Sequence, residues 1–74
     1  MLTPEQVHQH IAQSQAVAQR SIQGHNLAMQ AFGIACARRD WVLAEKEHQE
    51  ALANLDAYLN ALMSTYRLAQ ECER

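Results

Sequence analysis

The stretch CARRDWVLAEKEH, residues 36–48, decides the fold. Asp40 is a good N-cap, and a helical pattern begins immediately after it at Trp41. Arg38 and Arg39 stand before it, where cations suit the C-terminal end of a preceding helix. Glu45 and Glu47 follow, toward the end of a second helix that favours acids. The stretch therefore reads as a corner between two helices with a very short connection. Helices joined so tightly pack as antiparallel neighbours.

Outward from the corner toward the C-terminus, Leu52, Leu55, Leu59, Leu62 and Tyr66 recur in steps of three and four. That is the helical period, and it predicts an amphipathic helix over about 41–72. Toward the N-terminus, Val7, Ile11, Ser14, Ala18, Ile22, His25, Met29, Phe32 and Cys36 recur in the same steps. The sequence LTPEQV supplies the start of this first helix. Thr3 suits the N-cap, Pro4 the first helical position, and Gln6 closes a capping box. The first helix is predicted over about 4–38. Its stripe stays in phase across Gly24, which favours one continuous helix; a break at 24, with Asn26 capping a new helix, is the alternative. Gly33, beside Phe32, is read as a point of close helix approach. The prediction is an all-α chain: a single domain over 1–74, formed by an antiparallel two-helix hairpin with long helices.

With 74 residues the chain buries a small fraction of its surface. Apolar residues make up 49%, but much of that is alanine, which fills little volume. A hairpin is one layer with one shared seam, so its outer apolar positions need a cover. Between Val7 and Ala37 the only formal charge is Arg20, and the remaining polar positions are mostly glutamine. Interface cores are depleted in charge in this way. Twofold dimers are the commonest oligomers, so the expectation is a homodimer forming a four-helix bundle. A charge-poor face (Ala16, Gln23, Ala28, Ala31, Ala35), the stripe Leu52, Leu55, Leu59, Leu62 and Tyr66, and the corner residues Arg38, Arg39 and Trp41 are the expected interaction residues.

The net charge of −2, with Arg38–Arg39 as the one basic pair, gives no nucleic-acid footprint. No run of about 18 apolar residues is present, so no membrane span is expected. The N-terminus lacks a basic region followed by an apolar run, which points to the cytoplasm. Cys36 and Cys72 would lie about 40 Å apart at helical rise, too far to pair within one hairpin.

The corner also resembles the turn inside one tetratricopeptide repeat. RRDWVLAEKEHQEAL matches it through Asp40, the aromatic Trp41, and Ala44, Ala51 and Leu52 on the second helix. Gly33 stands one position away from the glycine of the repeat's first helix. Arrays of that family need about three repeats, and the chain holds no second one, so the resemblance carries no function.

Two patterns point to chemistry. Glu45-x-x-His48 puts both side chains on one helix face, as in di-iron bundles. The first helix adds only Glu5, near the wrong end, since His48 should lie opposite residues 31 and 32. Folding about residue 40 also brings Cys72 and Glu71 near His8 and His10, a zinc-compatible donor set. A third pattern, Arg38 and Arg39 beside Trp41, suits an anionic planar ligand such as a nucleotide at an oligomer interface. A metal-binding bundle and a small-ligand binder are therefore the alternatives. The favoured reading has no metal, no cofactor and no catalysis, since two helices form little pocket. It is a protein-interaction module: a helical adaptor, chaperone or inhibitor, phage-type inhibitors of host proteins included, that binds and masks a partner.

Overall fold

The computed structural model describes residues 2–72, the side chain of Cys72 excepted. The architecture is all-helical, with α1 over Pro4–Ala37 and α2 over Trp41–Cys72 folded back on each other. The hairpin measures 53 × 13 × 13 Å across its Cα atoms.

Local chemistry sets the helix ends. The Gln6 amide donates to Thr3 Oγ1 at 3.2 Å, and the Thr3 amide donates to Gln6 Oε1 at 2.9 Å. Both orphan donors are thereby satisfied at the start of α1. At its other end, the amide of Asp40 donates to the carbonyl of Ala35, and that of Arg39 to the carbonyl of Cys36. These are the two bonds of a Schellman stop. The stop needs a left-handed residue, and Arg39 supplies it at φ 58°. An L-residue other than glycine costs about 1–2 kcal/mol there. Asp40 then caps α2, accepting from the Leu43 amide at 3.2 Å. One correction follows. Arg38 and Arg39 are the cap and the turn residue rather than members of the last helical turn, and Glu45 and Glu47 lie beyond the first turn of α2. Glu45 and Glu47 thus sit where the dipole effect is already falling off, while Arg38 and Arg39 stay beside the C-terminal carbonyls of α1.

Helix α1 runs unbroken through Gly24. A Cβ on Gly24 would come within 2.6 Å of Asn54 Oδ1 on α2. Glycine here relieves crowding across the seam. Gly33, expected at the close approach, has nothing within 4 Å of its Cβ direction and faces outward.

The seam is built of small side chains. Among the described residues, the fully buried apolar side chains are Val7 and six alanines: Ala18, Ala28, Ala35, Ala44, Ala51 and Ala61. Ser21 is buried with them, and no large side chain is completely enclosed. On α2 the buried and half-buried positions include Ala44, Glu47, Ala51, Asn54, Tyr58, Ala61, Thr65 and Leu68. Their steps alternate three and four, the 3.5-residue repeat of a coiled seam. The leucine stripe runs parallel to this line but about one residue, or 100°, further round the helix. Leu52, Leu59, Leu62 and Tyr66 are therefore exposed, and Leu55 is half-buried. Small side chains let two backbones approach, and that geometry claimed the seam in place of the larger ones.

Candidate functional site: an apolar broad face

A two-helix layer has a seam, two outer edges and two broad faces. One broad face carries a recess of about 290 Å³ bounded by His25, Met29, Phe32, His48, Ala51 and Leu52. Phe32 and His48 meet across it, ring centroids 6.0 Å apart and tilted by 43°. Seven-residue spacing extends this face along both helices, as it repeats each position on a coiled helix pair. On α1 it reaches Ile22, Gln15 and Ile11, with Ala18 buried in the seam beside them; on α2 it reaches Trp41, Glu45, Leu55, Leu59, Leu62 and Tyr66.

The face is large, apolar and almost uncharged. Leu59 is 54% exposed, Tyr66 61% and Trp41 64%, where side chains of this size are normally covered. Between His48 and Tyr66 the formal charges are Glu50 and Asp56. Helical spacing puts Glu50 on the opposite face and Asp56 on the outer edge. Arg20, the sole formal charge between Val7 and Ala37, is also on the opposite side, one heptad from Gln13. Gln13 lines a second recess there, of about 340 Å³, together with His10, Val17, Asn60, Ser64 and Leu68. That opposite face is mixed in character, with Leu27, Ile34 and Leu43 exposed toward the corner.

The residues expected to form an interaction surface divide into three groups. Leu52, Leu55, Leu59, Leu62, Tyr66 and Trp41 share the apolar broad face. Ala16 and Gln23 are exposed on the outer side of α1, and Arg38 and Arg39 are exposed at the corner. Ala28 and Ala35 are corrected: at 4% and 0% exposure they lie in the seam, and Ala31 is half-buried beside them. These alanines hold the hairpin closed and are not available to a partner. Met29 and Phe32, members of the periodic stripe on α1, lie on the exposed face rather than in the seam. Their size was the available signal, since the narrow seam admits alanine and serine.

The candidate metal ligands are spread out. Glu45 and His48 share the broad face with Phe32, while His8 and His10 stand two residues apart on α1 and therefore on opposite faces. The Cys72 side chain lies outside the described residues. Among the described residues, no three His, Cys, Asp or Glu side chains converge in a metal-holding group. His25 Nδ1 is buried without a hydrogen-bond partner, an arrangement that costs about 1–3 kcal/mol. No described helix is long and apolar enough to cross a membrane.

Comparisons with protein-family models, with curated proteins and with solved structures found no match. Any function has to be read from the residues themselves.

Proposed function

We propose that the chain is a non-catalytic protein-interaction module, an adaptor, chaperone or inhibitor that acts by binding and masking a partner. Two copies stack their apolar broad faces to complete a four-helix bundle. The carrying observation is the apolar surface from His48 to Tyr66, on which no formal charge falls, flanked by Met29 and Phe32 of α1. Depletion of charge over such a length is the composition of an interface core. Its size supports the same reading. The whole broad side of the hairpin, 53 Å by 13 Å across its Cα atoms, projects on the order of 700 Å², near the roughly 800 Å² per partner of a stable interface. With this face closed, the opposite one, bearing Leu27, Ile34 and Leu43, stays open to a different protein.

Light scattering after size exclusion, paired with far-UV circular dichroism, tests the proposal. The wild-type chain is expected at twice the single-chain mass. The Leu59→Asp variant is expected at the single-chain mass. A Leu59→Asp protein with unchanged mass would refute the assignment of this face.

A further inference from the structure

We infer that the recess on the broad face is a binding site for a soft monovalent cation, Cu(I), held by His25 and Met29 of α1 and His48 of α2. The donor set is complete within one hairpin, so the inference does not rest on the dimer reading.

The placement of the three donors carries it. His25, Met29 and His48 all line the recess of about 290 Å³. His25 and Met29 stand one helical turn apart, which sets their Cβ atoms about 5–6 Å from each other. Phe32 follows Met29 by another turn, and His48 lies against Phe32 with ring centroids 6.0 Å apart. Along the hairpin, Met29 therefore stands at a level between the two imidazoles and is the middle donor of the three.

One donor already lacks a partner. His25 Nδ1 is buried with no hydrogen bond. A buried polar atom in that state is costly, and a bare cation satisfies its lone pair without needing room for a water molecule. The other two donors are free to turn toward it. Met29 is 54% exposed and His48 is also exposed, so packing does not lock either side chain. Methionine is unbranched and turns about three bonds, which lets its sulfur reach across a gap.

The chemistry of the donors selects the ion. Imidazole suits several transition metals, whereas a thioether is a soft ligand that selects Cu(I). All three donors are neutral. A divalent ion would bring two charges onto an apolar surface with no carboxylate to balance them, and burying unpaired charge is expensive. Glu45, one turn before His48, does not line the recess. Among the described residues no three His, Cys, Asp or Glu side chains converge, so a harder metal finds no site. Phe32, Ala51 and Leu52 complete the lining. These apolar walls keep water from the ion, and a Cu(I) ion with three ligands needs none.

Competition with the coloured Cu(I) chelator bicinchoninate, under a reductant, tests the site. Cys36→Ala and Cys72→Ala come first, because thiolates are soft ligands that would take the ion themselves. The thiol-free chain and the same chain carrying Leu59→Asp are both titrated, so that a covered face and an open one are read. The expected result is one Cu(I) drawn from the chelator per chain in at least one of the two. Met29→Leu and His48→Phe should each weaken that binding by no less than the roughly tenfold that even outer-shell changes cost at metal sites. Both substitutions keep size and shape, and far-UV circular dichroism checks that each variant stays helical. X-ray absorption of the loaded thiol-free chain should show sulfur as well as nitrogen around the copper, with the sulfur lost in Met29→Leu. Two outcomes overturn the inference: copper left wholly with the chelator by both chains, or copper bound equally well after both substitutions. Neither outcome bears on the dimer, which solution mass reads separately.

Discussion

The seam and the broad face use opposite chemistry on the same two helices. The seam is built of alanine and serine, and its closest point is Gly24 against Asn54. The broad face holds the leucines, Met29, Phe32 and Trp41. Burying an alanine methyl contributes about 0.8 kcal/mol, and burying a leucine side chain about 1.5–3 kcal/mol. The side chains with most to gain from leaving water are thus those the single hairpin does not bury. The hairpin is shaped by close approach, and in the proposed dimer the larger driving force would act in association. Among the described residues no large side chain is completely enclosed, and the proposed dimer would supply the burial that so small a core lacks.

The sharpest way to break this contrast is Leu59→Asp. Twofold symmetry counts the substitution twice, so the dimer should weaken by at least about 3 kcal/mol, roughly 150-fold in dissociation constant. Concentration-dependent light scattering reads the shift, and an unchanged dissociation constant sinks the role given to the face.

Ala35→Leu probes the seam. At 0% exposure it has no room for three more carbons, and overpacking of this kind costs about 1–3 kcal/mol. Thermal unfolding should drop in temperature, while Leu59→Ala at equal dimer occupancy should leave the hairpin's own packing intact. If Ala35→Leu raises the melting temperature, the seam has slack and the contrast fails.

Gly24 and Asn54 give a finer test. Gly24→Ala gains about 1 kcal/mol of helix propensity but drives its Cβ into Asn54 Oδ1. Alone it should be near neutral or destabilising. With Asn54→Ala beside it, the gain should appear as a coupling of about 1 kcal/mol in denaturant titrations of all four proteins. Additive effects would mean the two residues do not press on each other.

The smallest expected effect is at the corner. Arg39→Gly removes the penalty of a left-handed arginine but adds freedom to the unfolded chain, for a net stabilisation of about 0.5 kcal/mol. A loss of stability would show that the arginine side chain contributes more than the turn costs.

The sequence by itself determined the secondary structure and the hairpin. Thr3, Pro4 and Gln6 start one helix and Asp40 starts the other, because capping depends on side chains within three residues of the end. The short corner then leaves antiparallel packing as the available outcome. It also displayed an apolar stripe on each helix, but not which stripe faces inward. Leu52 and Ala51 differ by one position, and both lie on lines of helical period. Only the tertiary structure decided between them. Two helices held together along their whole length settle where their backbones can come closest. That distance is set by the smallest side chains, so the alanine line turned inward and the leucine line was left outside.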